Sequence, residues 1–187
     1  MEKFTESSVL KGVWLHQAEN YSDNRGSIYE WFNAKSVPDN FMDIQISQLL
    51  TARNINNVIR GIHFSAQDNP QIKLVNCSSG KILDVVVDLR EGSETFGLHD
   101  VFELDSRNSQ TLMIPDGFGH GYQVISNKAT VQYGIQTHFN FQKEYVMNPF
   151  DPTLGIAWRP GKHILSERDL NGENFNHYFD FHLRIRK

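Results

Sequence analysis

The 187-residue chain has one cysteine, no long apolar run and no surplus of positive charge. Lone Cys77 cannot form an internal disulfide, which fits a reducing compartment, and no segment has the apolar length of a signal peptide or a membrane span. The formal net charge of -4 argues against nucleic-acid binding, because affinity for phosphates needs clustered Lys and Arg. We therefore expect a soluble, cytoplasmic protein that binds neither nucleic acid nor membranes.

The chain also has no low-complexity tract, and 39% of its residues are hydrophobic. This length and composition predict a single globular domain over residues 1–187 with an adequate core. Helix candidates are few and short, whereas β-type segments dominate, with hairpin-type turn signals at residues 23–26 and 78–80. The predicted strands include residues 27–32, 73–77, 82–89, 99–103, 110–114, 121–125 and 130–137. At least about eight strands in a small domain predict an all-β sandwich or barrel, and we expect a jelly roll.

Side-chain alternation places three polar residues on apolar strand faces, because residues two apart share a face. These residues are Lys73, His120 and Tyr133. Their neighbours on those faces are Val75 and Cys77 for the lysine, Tyr122 and Val124 for the histidine, and Val131 and Ile135 for the tyrosine. An inward polar group is costly unless it has a partner or a task.

The run Arg60-Gly61-Ile62-His63-Phe64, followed shortly by Pro70-Gln71-Ile72-Lys73-Leu74, combines a histidine with a lysine on two apolar strands. A histidine can accept a proton near neutral pH, and a lysine can stabilise negative charge on a substrate oxygen. The combination predicts proton abstraction beside a carbonyl.

The segment from Pro115 to His120 has the form P-x-G-x-x-H and resembles the second motif of the cupin superfamily, in which the histidine binds a metal. The first cupin motif usually supplies a His-x-His pair and a carboxylate, but here Phe64 and Ser65 follow His63. The ligand set is incomplete for a catalytic metal, which usually needs three protein ligands. We therefore expect no metal, and we expect His120 to hydrogen-bond a substrate.

Taken together, the ordered motifs resemble the dTDP-4-dehydrorhamnose 3,5-epimerase family over about residues 10–170. The family consists of metal-free cupin-fold enzymes that need no cofactor. The matching runs are residues 23–26, 60–64, 70–75, 84–90, 93–97, 114–120, 154–158 and 165–169, with Glu30, Gln48 and Tyr133.

The resemblance implies that His63 is the general base, with Asp169 as its partner, and that Tyr133 is the general acid. It also implies that Lys73 stabilises an enolate at the C4 oxygen of a 4-keto sugar. Each residue has a structural alternative. Ser166-x-x-Asp169 is also a helix capping pattern, an interior lysine can reach a carboxylate at the rim, and a core tyrosine is common.

The resemblance further implies that Arg25, Glu30, Gln48 and Arg60 bind the nucleotide part of a dTDP-sugar, although on composition alone any one of them is a surface residue. Arg60 suits a phosphate because its guanidinium makes paired hydrogen bonds. N-terminal strands exchange between subunits in this family. A homodimer is therefore implied, in which Arg25 and Glu30 serve the partner's site.

The chain departs from the family pattern at several positions. Gly134 and Phe139 replace a lysine and a tyrosine, Leu49-Leu50 replaces Asp-Asn, and residues 148–151 differ from the usual Trp-Asn-Asp. Three alternatives to 3,5-epimerisation stay open: epimerisation at C3 or C5 alone, a non-catalytic sugar-nucleotide-binding cupin, and a metal-dependent cupin oxygenase. The aromatic tail, residues 171–187, has no counterpart in the pattern, and we expect it to pack on the domain or on a dimer surface.

Overall fold

The structure is a computed structural model that describes residues 3–65, 70–137 and 143–185. Strands dominate these ranges, as the sequence predicts, and the helices are a single 3-10 turn at Asp39–Phe41, α1 (Glu167–Leu170) and α2 (Phe175–Ile185). The strands are β1 (Lys3–Glu6), β2 (Trp14–Gln17), β3 (Asn20–Asp23), β4 (Gly26–Tyr29), β5 (Gln48–Ile55), β6 (Ile59–Ser65), β7 (Lys73–Ser79), β8 (Lys81–Asp88), β9 (His99–Asp105), β10 (Gln110–Ile114), β11 (Phe118–Val124), β12 (Lys128–Ile135) and β13 (Glu144–Val146).

The strands form two large antiparallel sheets and one small one. The first large sheet has the order β1-β2-β10-β7-β12-β5, and the second has the order β13-β6-β11-β8-β9. Strands β3 and β4 pair only with each other among the described residues. Neighbours in the large sheets are mostly distant in sequence, which confirms the predicted all-β jelly-roll class.

The core lies between the two large sheets, where alternate residues of both sheets meet. Val75, Cys77 and Val131 come from the first sheet, and Val86 and Val124 come from the second. Alternation correctly predicts the inward faces of β7, β11 and β12, because a strand with one face in the core must repeat every second residue. Tyr122 is fully buried in the same cluster.

The outer face of the second sheet is covered by the C-terminal tail. Phe175 and Phe179 of α2 pack with Ile62 and Phe64 of β6, so the predicted packing of the tail on the domain is confirmed. Among the described residues no helix has the length and apolarity needed to cross a membrane.

One of the two predicted hairpin turns is correct and the other is wrong. Residues 23–26 do join β3 to β4 as a hairpin, although β4 ends at Tyr29. Residues 78–80, in contrast, connect strands of different sheets, because β7 belongs to the first sheet and β8 to the second. Both strands bury one face in the same core, so the turn at Gly80 carries the chain from one side of that core to the other.

Candidate active site

A cavity of about 550 Å³ opens where the two large sheets meet the C-terminal segment. Most of its polar lining comes from the residues that the sequence singled out. The lining consists of Leu50, Thr51, Ala52, Arg53, Arg60, His63, Gln71, Lys73, His120, Tyr133, Ile135, Glu144, Ser166, Arg168 and Asp169.

His63 and Asp169 form a close pair in this cavity. His63 lies on β6, where it is the inward residue between Ile62 and Phe64, and its Nε2 is 2.7 Å from Oδ1 of Asp169. The histidine side chain is 25% exposed and the aspartate side chain 6% exposed, so the imidazole lies between a buried carboxylate and the open cavity.

Asp169 also stands at the predicted helix cap. Ser166 Oγ accepts a hydrogen bond from the Asp169 main-chain N–H at 3.1 Å, which starts α1 and orients the side chain toward β6. Burial raises the pKa of Asp169, but hydrogen bonds from His63, Gly61 and Ser166 outweigh it and hold the pKa below its usual value. The ionised carboxylate can only accept, so in the neutral imidazole Nε2 carries the hydrogen and Nδ1 keeps a basic lone pair.

Lys73 enters the cavity from β7, in the opposite sheet. Its side chain is buried, and its Nζ donates to the main-chain carbonyl of His63 at 3.3 Å. Burial lowers the pKa of Lys73, while the carboxylates of Glu144, Asp116 and Asp84 act in the other direction. A weakly solvated cation beside His63 is suited to hold negative charge on a bound oxygen.

His120 pairs directly with His63 in the sheet, and its side chain is bound to a buried carboxylate. Its Nε2 lies 2.9 Å and 3.0 Å from the two oxygens of Asp84, which is fully buried on β8. Burial raises the pKa of Asp84, and His120 and Lys73 oppose this shift. Asp84 therefore holds His120 at the cavity wall.

Tyr133 lines the cavity from β12, on the opposite sheet to His63. Its ring meets that of His120 nearly edge-on, with centroids 6.1 Å apart, and its ring centroid lies 6.5 Å from that of Tyr122. Burial raises the pKa of Tyr133 well above its usual value, so the phenol keeps its proton at neutral pH.

The four predicted nucleotide-binding residues do not all reach the cavity. Arg60 does, and its Nε donates to Asn54 Oδ1 at 2.8 Å. Gln48 lies at the start of β5 but is not a lining residue. Arg25 is 86% exposed and paired with Asp23 on the β3-β4 hairpin, and exposed Glu30 follows that hairpin.

Some groups at the cavity have no predicted role, among them Arg168 and Glu144 in its lining and Asp84 behind His120. Arg168 donates to the carboxylate of Glu144 at 3.1 Å and to its carbonyl at 2.7 Å, which ties α1 to β13. No spacing in the sequence indicates this pair. The inward position of Asp84 could have been predicted from the sequence, because a carboxylate two residues before inward Val86 must also face the core.

The residues that depart from the family pattern differ in whether they line the cavity. Leu50 lines the cavity beside Tyr133, its partner on the neighbouring strand, while Leu49 is 69% exposed on the other face. Gly134 is buried and does not line the cavity. Phe139 lies outside the described residues. Within the described ranges, no group of three or more His, Cys, Asp or Glu side chains is arranged to hold a metal ion.

Two facing antiparallel sheets with a polar cavity between them define a cupin-type jelly roll. The chain belongs to the dTDP-4-dehydrorhamnose 3,5-epimerase family, whose model matches residues 7–177. It is an enzyme of the epimerase class, as the motifs predict.

Similar proteins carry closely related names. A dTDP-4-dehydrorhamnose 3,5-epimerase from Streptomyces griseus is 34% identical over 162 residues, covering 86% of this chain and 80% of the relative. A dTDP-4-dehydro-6-deoxyglucose 3-epimerase from Streptomyces bikiniensis is 34% identical over 164 residues, covering 87% of this chain and 84% of the relative. The crystal structure of NovW, a 4-keto-6-deoxy sugar epimerase from Streptomyces spheroides, has a TM-score of 0.93 at 30% identity and covers 98% of this chain and 92% of NovW.

Proposed function

We propose that this protein epimerises a dTDP-4-keto-6-deoxyhexose in deoxysugar nucleotide biosynthesis, by moving a proton at the carbon next to the C4 ketone. The observation that carries the proposal is the placement of His63 and Tyr133 on opposite sheets around one cavity. Inversion needs a base on one face of the sugar and an acid on the other.

In the proposed reaction, Nδ1 of His63 removes the proton beside the ketone, and the electron pair moves onto the C4 oxygen. Asp169 stabilises the imidazolium that forms. Lys73 stabilises the enolate oxygen, and Tyr133 then delivers its phenolic proton to the carbon from the opposite face. His120 hydrogen-bonds the substrate, in an orientation set by Asp84.

Arg60 and Gln48 are proposed to bind the nucleotide diphosphate within the same subunit. Arg25 and Glu30 lie on or beside a hairpin that pairs with no other strand among the described residues, although the Tyr29 hydroxyl donates to Asn76 of β7 at 3.1 Å. Tyr21 and Ile28 are cross-strand partners on it and are 62% and 73% exposed. An exposed hairpin that carries this apolar pair and candidate binding residues supports a homodimer in which the hairpin completes the partner's site. A cytoplasmic location is proposed from free Cys77.

Epimerisation at a single carbon is the second candidate. Relatives that are both 34% identical to this chain are named as 3,5-epimerase and as 3-epimerase, so overall similarity does not separate the two activities.

Deuterium exchange tests both candidates in one experiment. The enzyme is incubated in D2O with dTDP-4-keto-6-deoxyglucose, and C3 and C5 are followed by NMR. We expect label and inversion at C3, at C5 or at both, and the labelled carbon decides between the two candidates. The variant His63→Ala should incorporate no label.

A folded wild-type protein that binds dTDP but exchanges neither carbon would overturn the proposal and favour a non-catalytic binding cupin. Activity that disappears on chelation and returns with added metal would instead favour a metal-dependent cupin.

A further inference from the structure

Gln71 lines the cavity and carries a buried oxygen atom that has no hydrogen-bond donor. The residue is 5% exposed and belongs to the same lining as Lys73. Within residues 3–65, 70–137 and 143–185, no hydrogen-bond partner reaches its Oε1. A buried amide oxygen without a donor is costly, so such an atom in the wall of a cavity indicates a ligand that supplies the donor.

The main chain around Gln71 is held in place by two hydrogen bonds. The N–H of Gln71 donates to Oδ1 of Asp116 at 2.8 Å. The carbonyl of Ile72 accepts from the N–H of Gln136 at 3.2 Å, which joins the segment before β7 to the residue after β12. The unpaired oxygen is therefore carried by an anchored segment rather than by a free loop.

Gln71 and Lys73 face the same side of the first sheet. Ile72 and Leu74 pack in an apolar cluster on its outer face, whereas Val75 lies in the core between the two large sheets. Alternation then places residues 71 and 73 on the inward face with Val75. Cα atoms two residues apart on an extended chain are about 7 Å apart, so one sugar ring can contact both side chains.

The chemistry of an amide oxygen limits what it can bind. It only accepts hydrogen bonds, so neither a ketone nor an ionised phosphate can satisfy it. The sugar of the proposed substrate has its donors on C2 and C3, as hydroxyl groups. Because Lys73 is proposed to bind the C4 oxygen and Gln71 lies beside it, the matching donor is the hydroxyl on C3, next to the ketone. The other neighbour of the ketone, C5, carries a methyl group and no hydroxyl.

We infer that Gln71 is a specificity-determining residue whose Oε1 accepts a hydrogen bond from the C3 hydroxyl, so that the site selects 4-keto sugars that keep this hydroxyl over 3-deoxy sugars. This inference rests on the proposed function, in which Lys73 binds the C4 oxygen. A 3-deoxy sugar leaves the amide oxygen buried and unpaired, which adds a penalty to the lost contact.

The variant Gln71→Met keeps the length of the side chain and removes the amide. For each enzyme, kcat/KM for deuterium incorporation in D2O is measured with dTDP-4-keto-6-deoxyglucose and with its 3-deoxy analogue, counting label at C3 and C5 together. We expect the preference for the hydroxylated sugar to be about tenfold weaker in Gln71→Met than in wild type, because one hydrogen bond to a buried group is lost. The intrinsic difference in reactivity between the two sugars is the same for both enzymes, so it cancels in this comparison.

Gln110→Met is the matched control. The Gln110 Oε1 is also buried and without a hydrogen-bond partner in the described part of the chain, but Gln110 does not line the cavity. Its preference should equal that of wild type. Gln71→Leu introduces a smaller apolar side chain and should weaken the preference as Gln71→Met does, which tests the inference if Gln71→Met folds poorly.

Equal preferences in wild type and in a folded Gln71 variant, even with both rates reduced, would overturn the inference, since a general loss of structure affects both sugars alike. Wild-type enzyme that binds dTDP but incorporates label into neither sugar would instead overturn the proposed function.

Discussion

The carboxylate of Asp169 lies 2.7 Å from Nε2 of His63, although the two residues are 106 positions apart in the chain. The helix cap that competed with this role is also present, because Ser166 binds the main-chain N–H of Asp169. The two contacts use different groups of Asp169, so the cap directs the carboxylate toward the histidine.

Asp169→Asn should lower kcat for epimer formation about a hundredfold or more, because an amide cannot stabilise the imidazolium and can favour the wrong tautomer. Steady-state kinetics with the 4-keto sugar nucleotide measures the effect. Glu167→Gln, an exposed change in the same helical turn, is the matched control and should keep wild-type kcat. Wild-type kcat in Asp169→Asn would show that the pair has only a structural role.

Lys73→Met should lower the activity of the enzyme without lowering its stability. Loss of the buried cation should raise the activation barrier by about 2.7–4 kcal/mol, which is roughly a hundredfold to a thousandfold in kcat. Burial lowers the pKa of Lys73, so its charged form is disfavoured in this position, and an apolar side chain should keep or raise the free energy of unfolding.

Urea denaturation measures the free energy of unfolding of this variant. Lys128→Met, the same change at an exposed position, is the control. Retained activity, or a destabilisation of several kcal/mol, would contradict the role proposed for Lys73.

Subunit complementation should detect the proposed exchange of the β3-β4 hairpin. Arg25→Ala and His63→Ala should each be nearly inactive alone. After mixing and subunit exchange, half of the dimers combine the two chains, and one of their two sites has both residues intact. We therefore expect about one quarter of wild-type activity. No recovery in a mixture shown by sedimentation to form dimers would place Arg25 in its own subunit's site or outside any site.

We expect the stability of the protein at acid pH to depend on the ionised carboxylate of Asp88. Its side chain is fully buried and accepts hydrogen bonds from Arg90, Ser93 and Thr95. Burial alone would raise its pKa, but these donors outweigh burial and bring the pKa to about 2. Because the folded pKa is lower than that of the unfolded chain, the stabilisation is complete above about pH 4 and is lost as the pH falls toward 2.

Asp88→Asn should therefore lower the free energy of unfolding by about 2 kcal/mol at pH 7, and the difference from wild type should shrink below pH 4. Denaturant titrations at several pH values measure it, with exposed Asp180→Asn as the control. A pH-independent difference would assign the effect to packing.

Local pattern predicted the parts of the site that depend on strand geometry. The two-residue repeat put Lys73, His120 and Tyr133 on inward faces, and the cavity contains all three. The same repeat applied to β8 would have found Asp84, whereas nothing local indicates that Arg168 binds Glu144. The prediction of a hairpin turn at residues 78–80 is wrong, since the same types of turn residue can join two paired strands or carry the chain between sheets.

The sequence by itself determined the β class, the inward faces and the residue types available for proton transfer, because strand alternation and side-chain chemistry are local properties. Only the tertiary structure decided which groups meet: Asp169 with His63, Asp84 with His120, and Asn54 with Tyr122. These contacts join residues from strands and helices far apart in the chain. Their distances are set by sheet order and register, which come from the packing of the whole core rather than from any one segment.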